Sequence, residues 1–314
     1  MFPVNHLSNS SKYPRVSIII TTRNEEKNIE NCLLSINAQT YPAEFIETIV
    51  IDNSSTDLTK EISLKYTNLV YDKGPERSAQ RNHGILKVAS GIYVIFLDAD
   101  MILSPDLIEK CQEFIESNNL NALHIPEIIL GTNFWSRARR LERSFYSGTV
   151  IDGARFFNKE TFIKSGGFHE SLNGPEDWDL DKKIKRIGTI GLLGYSKKPG
   201  TQFPKKMESF IRLCGVDPNQ HPNVIYHNES ELNLRQYLKK KNYYAKSFET
   251  YIKKWGKEDS DIKKQFGFGY RYFGVFLEKN KWKLLLRNPV ESLGLFALRV
   301  LVGILFLRRK FYGK

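Results

Sequence analysis

One stretch constrains this chain more than any other: Ile92 to Met101, IYVIFLDADM, where an uncharged run is followed at once by two acids. Ile92 to Leu97 is β-branched, aromatic or aliphatic throughout, the composition of a strand covered on both faces of a parallel sheet. Asp98 and Asp100 then fall at its carboxyl end. Two carboxylates this close repel, and leaving them unpaired beside a core is costly, so a cation is expected there. A pair of solvated turn aspartates satisfies the same local pattern, because Asp is common where strands stop.

The preceding residues repeat the arrangement. Val16 to Thr21 (VSIIIT) predicts a first strand that ends in Thr22, Arg23, Asn24, Glu25 and Glu26, and Ile29, Cys32, Leu33 and Ile36 recur at helical spacing. Ile46 to Ile51 predicts a second strand running into Asp52, Asn53, Ser54 and Ser55, after which Asp57 opens a helix through Leu58 and Ile62. A short strand at Asn68 to Tyr71 precedes GPERSAQRNHG, a turn and then a helix carrying Arg77 and Arg81. Alternation at this spacing means an α/β fold with a mostly parallel sheet and right-handed crossovers. The carboxyl ends of parallel strands lie along one edge, so Glu25, Asp52, Asp98 and Asp100 are expected in one crevice. The first turn has neither GxGxxG nor GxxxxGK[ST], which leaves carboxylates for a nucleoside and a metal, and Arg77 and Arg81 for phosphate oxygens.

Further along, Ser104-Pro105-Asp106 predicts a helix start with Ser104 as N-cap, and Leu107, Ile108, Cys111, Phe114 and Ile115 as its buried stripe. Asn121 to Ile125 and Val150 to Phe157 predict strands. Between them Asn133 to Tyr146 predicts a helix whose Arg137, Arg139, Arg140 and Arg143 form either a solvated face or an anion-binding wall. Lys159 to Ser165 is a short helix closed by Gly166-Gly167. After Gly174-Pro175 comes Glu176-Asp177-Trp178-Asp179, with Leu180, Ile184 and Ile187 as a helix stripe. Asp177 thus sits at a helix amino terminus, whose N–H groups favour its ionised form; ordinary first-turn acids give the same pattern.

The 41% hydrophobic content of 314 residues supports one large or two small cores. Cys32, Cys111 and Cys214 have no metal or disulfide spacing and read as reduced thiols. Residues 1–14 form a polar lead-in without the apolar run of a signal peptide. The net charge of +12 is placed unevenly: from Arg235 onward 20 Lys+Arg face 6 Asp+Glu, leaving the first 234 residues at 27 against 29. Lys239 to Lys241, Tyr243, Tyr244, Lys253, Lys254 and Trp255 interleave bases with aromatics, a composition that suits single-stranded nucleic acid. Val290 to Leu307 decides against nucleic acid as a partner: only Glu291 and Arg299 are charged in it, and Arg308, Arg309 and Lys310 follow. Ser292, Arg299, Gly303 and Lys310 fall near one line of a helical wheel and leave a wide apolar face. A span needs ~20 apolar residues, so an interfacial helix is favoured over a transmembrane helix or an oligomer contact. The basic flank would hold the body on the cytoplasmic face of the cell membrane. Ser196 to Pro222, with Lys197, Lys198, Lys205 and Lys206, reads as a long irregular lid or acceptor-facing loop.

Taken in order, VSIIITTRNEE, IVIDNSSTD, ERSAQRNHG, FLDAD, GGFHESL and GPEDWDL resemble the inverting family 2 glycosyltransferases with the GT-A fold, over about Val16 to Gly194. The resemblance implies a Rossmann-like α/β catalytic domain over 15–230, with a mostly parallel central sheet flanked by helices. A basic, largely helical extension (231–289) and an amphipathic membrane-associating helix (290–314) would follow. It implies that Thr21, Arg23, Glu25, Asp52, Asn53, Arg81 and Asp98 hold a nucleotide-sugar donor, that Asp98 and Asp100 bind a divalent cation (Mn²⁺ or Mg²⁺), and that Asp177 is the catalytic base. His227, in NVIYHNES, is a further candidate metal ligand or else a hydrogen-bonded surface group. Asp152, Glu176 and Trp178 are expected to face the acceptor, a glycan or lipid-linked molecule. The QxxRW motif of the processive synthases does not occur, which implies addition of a single sugar. A polyprenyl-phosphate acceptor, a sugar-phosphate nucleotidyltransferase and a non-catalytic adaptor stay open as alternatives.

Overall fold

The computed structural model describes residues 12–194 and 201–312. Seven buried residues form β1 (Val16–Thr22), and the chain then alternates through α1 (Ile29–Asn37), β2 (Ile46–Asp52), α2 (Thr59–Leu64), β3 (Val70–Asp72), α3 (Arg77–His83) and β4 (Tyr93–Asp98). The four strands pair in parallel in the order β3-β2-β1-β4. Successive side chains point to opposite faces, so Ile18 and Ile20 enter one apolar layer with Leu33 and Ile108, and Ile19 enters the other with Ile51 and Leu180. Register aligns the acids: Thr21 is opposite Asp98, and Thr22 is opposite Asp52, which in turn is opposite Asp72.

Beyond β4 the strands shorten, and the chain continues through β5 (Met101–Leu103), α4 (Leu107–Ser117), β6 (Ala122–His124), β7 (Glu127–Leu130), α5 (Phe134–Ser144), β8 (Phe156–Asn158), α6 (Lys159–Lys164), α7 (Glu176–Lys185) and β9 (Ile190–Leu192). Strand β8 runs antiparallel between β4 and β6, and β9 completes seven strands. After α8 (Lys205–Leu213), β10 (Ile225–Asn228) lies between β5 and β7 in a separate three-stranded sheet.

Several expectations change. Ser104 does not cap α4; its hydroxyl accepts from the Val224 N–H while Asp106 stands at the cap position without a side-chain bond. The strand expected over Val150 to Phe157 is confined to β8. Asp152 and Ala154 instead form a connection fixed by side chains, with Asp181 accepting from the Ala154 N–H at 2.9 Å. The expected irregular loop contains α8, whose Met207 and Ile211 pack under Tyr226; Lys197 and Lys198 lie outside the described residues, as do residues 1–11 of the lead-in. The arginines of α5 are neither a solvated face nor an anion wall. Arg139 pairs with Glu142 and Glu229, Arg143 pairs with Glu127 and Asp152, Arg137 pairs with Glu291, and Arg140 donates to the carbonyls of Ile129, Gly131, Cys214 and Gly215.

The extension comprises α9 (Leu234–Trp255), α10 (Ser260–Phe266), α11 (Val275–Leu277), α12 (Lys283–Arg287) and α13 (Pro289–Tyr312). Phe248 of α9 stacks on Trp178 at 5.9 Å and meets Phe306 of α13 at 5.4 Å. Helix α13 lies close against α5, where a methyl group at Gly294 would fall 2.7 Å from the Ala138 Cβ. Its Arg299 is buried, with Nε 3.2 Å from Glu142 and the guanidinium 4.5 Å from the Phe276 ring centroid. Arg299→Ala leaves Glu142 with Arg139 as its remaining cation, and is expected to lower stability by about 3 kcal/mol, read as a shifted urea midpoint at constant slope.

Candidate active site

Four elements deliver charge to one edge of the sheet. Arg77 and Arg81 are four residues apart on α3 and so share a face. Arg81 is 1% exposed, sandwiched by the Phe96 and Phe168 rings, and bridges two carboxylates: Nη2 to Asp98 at 2.9 Å and Nη1 to Asp177 at 3.0 Å. It is therefore a strut between strand end and helix start. Arg77 is more open, and contacts Asp98 (3.6 Å), Glu176 (3.0 Å) and the Tyr244 hydroxyl of α9 (3.0 Å). Burial opposes the charge on Asp98, yet Arg81, Arg77 and Arg155 hold its carboxyl well below the usual range.

Asp177 is the second residue of α7. Gly153 gives it room, since a methyl group there would come within 2.6 Å of the Asp177 Cβ. Burial pushes the Asp177 carboxyl up to about 6, with Arg81 pulling it down and neighbouring Glu176 pushing it up. A carboxylate tuned this way is suited to accepting a proton near neutral pH.

On the other side of Asp98, β10 brings in a histidine. Pairing of β10 with β5 sets His227 opposite Met101, immediately beyond the acid pair. His227 Nε2 lies 3.1 Å from Asp100 Oδ2, and Nδ1 lies 2.8 Å from Glu127 Oε1. Burial works against its charge, but carboxylates at both nitrogens raise its pKa well above the usual value, so a cation ligated there would displace the Nε2 proton. The other oxygen of Asp100, Oδ1, is buried without a hydrogen-bond partner. Glu25 completes the wall: burial, Asp100 and Asp98 raise its pKa, while Asn28 donates to it at 2.8 Å and accepts from Asn228 of β10. Among the described residues no three His, Cys, Asp or Glu side chains form a ready metal cage.

The remaining expected residues divide. Arg23 is exposed beside the crevice, and Thr21 donates to Asp98 at 3.2 Å, supporting the acid from below. Asp52 is fully buried and accepts from the Ser55 N–H at 2.7 Å, shaping the turn that presents Asn53. The three residues expected to face the acceptor all have partners within the protein. Asp152 is buried against Arg143 (2.9 Å) and the Gly148 N–H; Glu176 is buried and bound to Arg77; the Trp178 indole donates to the Ile151 carbonyl and stacks on Phe248, facing the extension. Each carries a hydrogen-bonding or ring function that its neighbours already use.

Sequence reasoning missed Glu127 and Arg155. Glu127 opens an apolar strand and carried no motif, yet it holds the His227 ring and is itself held far below the usual carboxylate range; burial opposes this, and Arg143 and Arg155 outweigh it. Such a partner fixes the tautomer and orientation of a ligating imidazole. Should His227 ligate a divalent cation, Glu127→Gln is expected to weaken Mn²⁺ binding about 10- to 100-fold, measured by titration calorimetry in the presence of a nucleotide.

The sequence model of glycosyl transferase family 2 matches residues 17–169, the span that builds most of this crevice. An uncharacterized glycosyltransferase of Haemophilus influenzae is 37% identical over 270 residues, covering 72% of this chain and 75% of that protein. The chain belongs to glycosyltransferase family 2. Among other relatives, the glycosyltransferase AglE of Haloferax volcanii is 40% identical over 98 residues, and the chain spans 32% of that protein's length. It likewise spans 34% of the chondroitin synthase of Escherichia coli. Solved structures support the GT-A fold. The mannosyltransferase PcManGT from Pyrobaculum calidifontis, in complex with GDP-Man and Mn²⁺, superposes with a TM-score of 0.54 at 19% identity over 91% of this chain and 75% of that one. The S. aureus TarS fragment 1–349, in complex with UDP-GlcNAc, superposes with 0.52 at 17% identity over 92% and 81%.

Proposed function

We propose that this family 2 chain transfers one sugar, with inversion, from a nucleotide-diphosphate sugar to a hydroxyl of a lipid-linked or cell-surface glycan at the cytoplasmic face of the membrane. A UDP-sugar is the favoured donor. The observation that carries this reading is the convergence of Asp98, Asp100, Asp177 and His227 on one crevice from three separate segments. Arg23 and Arg77, the more exposed guanidiniums, suit the diphosphate.

A divalent cation, Mn²⁺ or Mg²⁺, fits the residues present. Asp100 offers an unpartnered buried oxygen, His227 is already oriented by Glu127, and phosphate oxygens would complete the set. Bound there, the ion would neutralise charge on the leaving diphosphate as a Lewis acid. Asp177 takes the proton of the attacking hydroxyl, and Arg81 keeps that carboxylate aligned with Asp98 across the crevice.

A thermal-shift panel of UDP-, GDP- and CMP-sugars with and without Mn²⁺ tests the reading. A ligand at a hundred times its Kd stabilises the fold by about 2.7 kcal/mol, so the true donor raises Tm only with its metal. No response to any of them removes the reading, and release of pyrophosphate instead of nucleoside diphosphate turns it into a nucleotidyltransferase.

A further inference from the structure

The membrane-facing reading leaves open how α13 meets the bilayer, and the packing of the helix answers it. Its polar line points into the protein: the Ser292 hydroxyl donates to the Leu285 carbonyl at 2.9 Å, and Arg299 is bound to Glu142 and Tyr146. The outward stripe is apolar, with Leu293 72% and Ile304 42% exposed and Val300 and Leu307 between and beyond them at helical spacing. It carries no charge before Arg308. The surface continues onto α12, where exposed Trp282 and Leu286 alternate with exposed Lys283 and Arg287.

Three occupants could cover this face, and charge separates them. With 20 basic against 6 acidic residues from Arg235 onward, two copies of the extension repel, and the stripe lacks the flanking opposite charges that pair helices. Anionic headgroups attract it instead. Crossing the bilayer would strip Arg299 from Glu142, or carry that pair toward hydrocarbon, which is costly.

We propose that α13 is a monotopic, in-plane anchor whose Leu293-to-Leu307 stripe, continued by Trp282 and Leu286, lies in the headgroup–acyl boundary of an anionic bilayer. This rests on the membrane-facing reading above. Helix α9 then links lipid to chemistry, since Phe248 touches α13 and Tyr244, about one turn away, touches Arg77 in the crevice.

The test adds the full chain to sealed vesicles of phosphatidylcholine with phosphatidylglycerol. The protein is expected to float with them, and the double substitution Val300→Asp with Ile304→Asp to reduce the bound fraction at least tenfold while UDP–Mn²⁺ binding is unchanged. The thiol introduced by Arg308→Cys is expected to react with an impermeant maleimide equally with and without detergent; Cys32, Cys111 and Cys214 are buried and give no background. Unchanged vesicle binding in the double variant overturns the anchor. Labelling that appears only in detergent replaces it with a span, and a dimer that the double variant splits, without a change in vesicle binding, replaces it with a second copy. UDP binding by the wild type reports separately on the transferase reading, so either can fail alone.

Discussion

Asp177→Asn is expected to lower turnover by about 10³-fold while leaving Tm shifts with nucleotide and Mn²⁺ intact, because it removes the proton acceptor and preserves shape. Its neighbourhood makes the same point in pH. The folded carboxyl is pushed up to about 6, so the base is charged above that pH and protonated below it. The wild-type rate is therefore expected to fall about tenfold per unit as pH drops through about 6, and the residual rate of the variant to lack that limb. Full activity in Asp177→Asn would indicate an acceptor that needs no deprotonation, such as a polyprenyl phosphate, which is already ionised near pH 7.

The second large effect is at Asp100. Asp100→Ala removes the unpartnered oxygen and the carboxylate against His227, and is expected to cost about 10³-fold in kcat/KM, about 4 kcal/mol of transition-state stabilisation. Chelation of the wild type should match it. Added Mn²⁺ should then restore the chelated wild type and leave the variant inactive; an Asp100→Ala enzyme with ordinary Mn²⁺-dependent activity would remove Asp100 from the metal site.

These two residues differ in how readily the sequence revealed them. Asp98 and Asp100 end a long buried strand, and the parallel register carries Thr21, Asp52 and Asp98 to one edge without further information. Asp177 was visible as a helix-start acid within a motif. Arg81 was visible as a residue, and packing adds that it is sealed between two phenylalanine rings and joins Asp98 to Asp177. The internal partners of Asp152, Glu176 and Trp178 could not be read from the sequence, because each lies on a different element or far along the chain.

The second half of the fold was hard to read for a physical reason. Strands β5, β7 and β10 are three or four residues long, too short for periodicity to separate from a buried turn, and they pair across as many as 126 positions, as Met101 does with His227. The sequence by itself determined what local pattern can encode: the parallel core, the acid-tipped strand ends, the basic apolar tail. Tertiary structure alone decided that Glu127 orients His227 beside Asp100, and that α13 turns Arg299 inward and Leu293, Val300, Ile304 and Leu307 out. Both depend on which distant surfaces meet, and a buried charge selects the partner that compensates it whatever the spacing along the chain.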